Sequence, residues 1–185
     1  LLTESLVWQA KVSSGSIIAD PGQDIAKLAV QDRNRNDSRI AIGFVKGLGL
    51  QLCVLSATAA PDAYPLTVHG ALHKSLLTAL DWLRANGGGL VACEGTQILA
   101  CLPLTAAGLM SDDPLATVAE RLAAVDQAAA GLGLVGEHPC MALSFLSLSV
   151  IPSLKLTDQG YVDLGRGGRQ SLLVENGQAY HRDKV

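Results

Sequence analysis

Residues 87–114, GGGLVACEGTQILACLPLTAAGLMSDDP, limit what this chain can fold into more than any other stretch. The triple glycine ends a helix, because a left-handed residue after a helix costs glycine nothing sterically. The apolar runs Leu90–Cys93 and Ile98–Leu102 flank Glu94-Gly95-Thr96, a spacing that predicts a β-hairpin. The loop that follows, Ala107-Gly108-Leu109-Met110-Ser111-Asp112, is apolar and then abruptly acidic. Solvent alone gives no reason for that order. Such a loop lines an interior surface or meets another part of a larger protein.

At 185 residues the chain suits one domain with a sizeable core. Apolar residues make up 49 % and aromatics only 4 %, so that core must be aliphatic. A mean hydropathy of +0.30 is high. Long buried strands and Ala-rich helices explain it, or else an apolar face is covered by a partner. A chain opening on Leu1 fits a piece of a longer polypeptide, or a trimmed one. The uncharged stretches around 96–111 and 140–154 each contain proline and are too short for a membrane-crossing helix. The opening residues lack the charged and apolar regions of a signal peptide. The net charge of −3 offers no electrostatic footprint for nucleic acid or an anionic membrane. Cys53, Cys93, Cys101 and Cys140 form no Cys-x-x-Cys pair, and read as buried thiols of a reducing, cytoplasmic compartment.

Turn and strand signals alternate along the chain. Asp20-Pro21-Gly22 is a turn, and Ile25, Leu28 and Val30 mark a strand. IAIGFVKG (40–47) is another strand, and Gly47-Leu48-Gly49 is a bend or a place where another backbone comes close. QLCVLS is a strand, and Ala57–Pro65 a proline-stiffened loop. Leu72, Leu76, Leu80 and Leu83, with Leu77 beside them, form a helical stripe over about 71–86. Asp113-Pro114 reads as N-cap and N1 of a second helix over about 113–130, with Leu115, Val118, Leu122 and Val125 as its stripe and Gly131 as its end. Leu146, Leu148 and Val150 alternate with serines, the period of a strand. Residues 154–164 form a hairpin and Ser171–Val174 a last strand. These elements predict an α+β fold with a mixed, largely antiparallel sheet, one domain over 1–175, and a polar tail at 176–185.

Candidate chemistry is sparse. His69 and His73 are spaced to share a metal on a helix face, but no third ligand lies near, and surface or capping roles account for them. No nucleophile elbow or Walker phosphate loop occurs, and the triple glycine follows a helix where a dinucleotide loop must precede one. Ser111 and Asp112, beside Asp113 at a helix start, are candidates for facing a ligand, with capping as the plain alternative. Asp62 sits on the proline-stiffened loop. Lys46 lies at a glycine-flanked strand end, where a solvated lysine is equally accounted for. These residues do not assemble a complete catalytic set.

GFVKGLGL (43–50), the 87–114 stretch and LSFLSLSVIPSLKLTDQGYVD (143–163) resemble the C-terminal domain of adenine deaminases, and ADPGQDIAKLAV (19–30) resembles that family's entry strand. The resemblance covers about residues 4–175. It implies that the domain packs on an amidohydrolase barrel of the same protein, closes a purine pocket with loops 57–65 and 107–113, and belongs to a homo-oligomer. The barrel would hold divalent manganese or iron, whose bound hydroxide converts adenine to hypoxanthine and ammonia. In this picture Asp62 is a catalytic, proton-handling group, and Ser111 and Asp112, with Lys46, face the substrate. One departure stands out. Where the family carries a His-Asp-Ser-His-Asn run, this chain reads Pro61-Asp62-Ala63-Tyr64-Pro65, keeping only the aspartate. A diverged, non-catalytic assembly or ligand-binding module is therefore the competing expectation.

Overall fold

The computed structural model describes residues 3–32, 39–49, 53–58, 65–70, 73–136, 138–148, 150–151, 153–163, 165–175 and 178–179. A short hairpin, β1 (Val12–Ser13) and β2 (Ser16–Ile17), comes first. β3 (Ile25–Asp32), β4 (Ala41–Lys46), β5 (Cys53–Ala57) and β6 (Pro65–Gly70) follow, then α1 (His73–Ala85), β7 (Gly89–Glu94) and β8 (Gln97–Pro103). α2 (Leu115–Gly131) and α3 (Pro139–Ser144) precede two small hairpin systems, β9 (Leu154–Thr157) with β10 (Gly160–Asp163) and β11 (Gly168–Gln170), and β12 (Val174–Glu175) with β13 (Gln178–Ala179). The main sheet has the order β4-β3-β6-β5-β7-β8, with every neighbouring pair antiparallel. The α+β expectation is met. Among the described residues no helix is long and apolar enough to cross a membrane.

Alternation along the strands divides the core between two faces. Val91 and Cys93 pack with Ala29 against Leu76, Ala79 and Leu83 of α1. Leu90, Ala92, Leu28 and Val30 pack on the other side against Val125 and Ala129 of α2, Leu143 of α3, Leu146 and Leu156. The helical stripes are narrower than their leucines suggest: Leu77 is half-exposed and Leu115 almost fully exposed.

Where a strand alternating through Leu146, Leu148 and Val150 was expected, Leu146 and Ser147 belong to a helical segment instead, and Ser149 lies outside the described residues. Pro139 starts α3, where its missing N–H is no loss, and a 3-10 turn, Phe145–Ser147, continues it. Leu143 and Leu146, three apart, then enter the same core. The serines between bond backward along the helix, Ser144 Oγ to Met141 O (2.8 Å) and Ser147 Oγ to Ser144 O (3.2 Å). β6 went unassigned in the sequence, and it separates His69, on that strand, from His73, at the start of α1; the two do not share a helix. In place of the expected last strand at 171–174 stand β11 and the short β12, and Gln178 and Ala179 of the expected tail pair with Glu175 and Val174.

α2 ends at Gly131 as expected, and the left-handed residue that closes it is Gly133, two positions on. Leu134 N reaches back to Ala129 O (3.1 Å) and Gly133 adopts φ +97, the geometry of a Schellman ending. Gly133 also touches Gly49 backbone to backbone: a Cβ on Gly133 would lie 2.6 Å from Gly49 O, and one on Gly49 2.1 Å from Gly133 O. Glycine is required on both sides. Gly133→Ala therefore destabilises the chain by about 2–4 kcal/mol through left-handed strain and backbone clash, read as a lower denaturant midpoint at unchanged slope.

Buried Asp20 accepts from Lys11 Nζ at 2.7 Å and from Gln23 Nε2 at 2.6 Å. The Lys11 bond, then the Gln23 bond, holds its carboxyl below the ordinary aspartate range. A depressed folded-state value means the stabilisation is present above the unfolded value and lost as pH falls through the folded one. The stability gap between wild type and Asp20→Asn, measured by chemical denaturation, accordingly closes as the pH falls below about 5, through the ordinary aspartate value and then the lower folded-state one.

Candidate functional site

Two glycine-dependent joints bring the conspicuous loop onto one end of the main sheet. Gly87, at φ +72, ends α1, and Gly89, at φ +144, starts β7 with its α-carbon against β8. A Cβ there would stand 2.3 Å from Leu102 O. The same end of the sheet carries the last residue of β5, Ala57, opposite Leu90, the first residue of β6, Pro65, opposite Asp32, and the last of β8, Pro103, opposite Gly89. β5 and β8 therefore both end here, and loop 104–113 leaves from this end.

Thr58 ties them together. It is 2 % exposed, and its backbone N–H donates to Gly89 O at 3.0 Å. Its hydroxyl accepts from Gly89 N at 2.8 Å and donates to Gly108 O at 2.6 Å. The loop closes on itself further out, with Ala106 N to Met110 O at 2.9 Å and Met110 N to Ala106 O at 3.1 Å. Ala107, at φ +56, is one of three non-glycine residues with positive φ among the described residues.

The acidic end of the loop is bonded locally. Thr105 Oγ1 donates to Asp112 Oδ2 at 3.0 Å, and Asp113 N donates to Ser111 Oγ at 3.2 Å. Asp113 is not the helix cap that its position before Pro114 suggested. Pro114 itself occupies the cap position, without a side-chain bond, and the Asp113 carboxylate pairs with Arg121 Nη1 at 2.5 Å. Nearly two turns into α2, the guanidinium takes that carboxylate in place of the helix amides.

Ser111 and Asp112 thus stand together on the loop. Asp62 lies outside the described residues, as do Pro61, Ala63 and Tyr64. Lys46 is elsewhere. It is exposed at the end of β4 that pairs with Ile25, while the loop joins the opposite end of the sheet at the opposite edge, five strand spacings or about 24 Å away. Lys46 instead borders a groove of about 900 Å³ under the N-terminal segment, lined by Trp8, Phe44, Leu156, Tyr161 and Arg166 among others.

Among the described residues no three His, Cys, Asp or Glu side chains come together as a metal site. The nearest approach to one joins α2 to α3: His138 Nδ1 lies 3.7 Å from Asp126 Oδ2, beside Cys140. Burial, and then the Asp126 carboxylate, push the Cys140 thiol far above its usual range. It stays protonated and is no nucleophile. Sequence reasoning missed Thr58 and Arg121. Thr58 is an ordinary residue after an ordinary strand, and Arg121 lies eight residues from its partner, a spacing that no local rule connects.

The family model described as adenine deaminase C-terminal domain matches residues 1–167. Adenine deaminase of Oleidesulfovibrio alaskensis is 44 % identical over 165 residues, covering 89 % of this chain and 29 % of the relative. That of Syntrophobacter fumaroxidans is 43 % identical over 172 residues, 93 % and 30 % of the two chains. That of Brucella abortus is 38 % identical over 166 residues, 90 % and 29 %. The chain spans about three tenths of the length of these curated relatives. With residues 1–167 matched and the identities this high, the chain belongs to the adenine deaminase C-terminal domain family.

Proposed function

We propose that this domain serves an adenine deaminase-like hydrolase of the cytoplasm, in which water replaces the amino group at C6 of adenine to give hypoxanthine and ammonia. The match over residues 1–167 to a family whose relatives bear that name carries the proposal. The divalent metal, manganese or iron, belongs to the remainder of the parent polypeptide. The described residues of this chain do not fit one, and no step through a metal is derived for them.

This domain's part is to pack beside the catalytic barrel and present loop 104–113 to the purine. Ser111 and Asp112 offer a hydroxyl and a carboxylate there, suited to the ring nitrogens and the amino group. Support comes from the loop's internal bonding and from its fixed attachment to the sheet end at Thr58. Asp62 is proposed as a proton-handling group on the neighbouring loop. A second reading, a non-catalytic assembly or ligand-binding module, is favoured by Pro61-Asp62-Ala63-Tyr64-Pro65, which lacks the imidazoles able to carry protons near neutral pH.

The full-length protein supplied with manganese or iron tests the first reading. Adenine consumption, with hypoxanthine and ammonia appearing in equal amounts, is the expected result. No turnover of adenine or related purines removes it and leaves the binding module.

A further inference from the structure

The loop that carries Ser111 and Asp112 is held in a conformation its own sequence does not favour. Ala107 and Gly108 are consecutive left-handed residues, φ +56 and +69. The alanine bears a steric penalty there that glycine would not. Such backbone persists only where the surroundings over-determine it, and it gathers at ligand clamps and active sites. The turn's own bonds, between Ala106 and Leu109 or Met110, close it but do not anchor it. An anchor comes from the residue that follows β5: Thr58 Oγ1 donates to Gly108 O at 2.6 Å while accepting from Gly89 N at 2.8 Å. At 2 % exposure, water has no access to replace that hydroxyl.

We infer that Thr58 is a positioning residue, whose hydroxyl selects the left-handed Ala107-Gly108 turn and so fixes where Ser111 and Asp112 stand relative to the sheet end. The role in substrate binding rests on the reading that this loop meets the purine. The hold on the loop does not depend on that reading.

The test uses the full-length protein carrying Thr58→Val, which keeps the shape and removes the hydroxyl, alongside Thr58→Ser, which restores it. Gly133→Ala, which strains the α2 ending away from this loop, is the stability control. In Thr58→Val, amide exchange of peptides spanning 104–113 accelerates by about tenfold or more while β3 peptides hold their rates. KM for adenine rises about tenfold with kcat within about threefold, the pattern of lost ground-state binding. Thr58→Ser reverses both effects, and Gly133→Ala produces neither the local exchange nor the split between KM and kcat. Should Thr58→Val fold poorly, adding Ala107→Gly relieves the turn's strain and recovers part of the lost affinity. Wild-type exchange and kinetics in Thr58→Val, or changes that merely track those of Gly133→Ala, overturn the inference. If the wild-type protein turns over no adenine, the proposed function falls, and loop exchange alone decides: acceleration rescued by serine supports the hold, and unchanged exchange ends it.

Discussion

A strand buried on both faces has nowhere to send its polar backbone except to its neighbours, and β7 is such a strand. Gly89 through Cys93 are all buried. Their amides and carbonyls are paired between β5 and β8, since water reaches neither face. Their side chains divide, Leu90 and Ala92 toward α2, Val91 and Cys93 toward α1. Each large aliphatic group buried in this way contributes about 1.5–3 kcal/mol. β7 thus lies between α1 and α2 and contributes side chains to both cores, as β3 does with Ala29 on one side and Leu28 and Val30 on the other. The end of β7, Gly89, is also where Thr58 and loop 104–113 attach, so the candidate site is built onto a strand buried on both faces.

The sheet margins are treated unequally. At β4 the backbone of Phe44 would be left unpaired, and one phenol answers both needs: Tyr161 Oη accepts from Phe44 N at 2.7 Å and donates to Phe44 O at 2.8 Å. Burial pushes that hydroxyl above the usual tyrosine range, which keeps it a donor. Gly43 makes the approach possible, because a Cβ there would sit 2.9 Å from both Leu156 Cδ2 and Tyr161 Oη. Covering an exposed strand edge removes a template for aggregation. It also locks the β9–β10 hairpin over the sheet face that carries Leu28 and Val30.

Sequence made the hairpin of residues 89–103 readable because a continuous apolar run bounded by glycines has few other solutions. The bend at 47–49 was readable as a backbone contact, and its partner, Gly133, was not, since 84 positions of chain separate them. Residues 146–150 misled because Leu-Ser alternation has the period of a strand, while serine can satisfy itself in a helical turn by bonding backward, as Ser147 does to Ser144 O. Asp113 misled in a related way. Cap preference is a local quantity, and a guanidinium brought near by the helix it precedes overrode it. At the candidate site, the apolar-to-acidic order of 107–112 singled out the loop, but the residue holding it lies 50 positions earlier, just past the end of β5. Hydrogen bonds between distant segments leave no periodicity to read.

The choice of threonine at the junction follows from what the junction requires. Gly89 presents a donor and Gly108 an acceptor, so the group between them must accept and donate at once. A carboxylate only accepts and an ammonium only donates; either would also bring a charge into a site without water. A β-branched hydroxyl residue meets both needs with little rotamer freedom to lose. The acidic groups, by contrast, are satisfied within their own neighbourhood, Asp112 by Thr105 and Asp113 by Arg121. Fixed attachment is thus assigned to a neutral, buried group and charge to an exposed one. The hold on the sheet end therefore needs no charge, and the loop's carboxylates are left on its outer side.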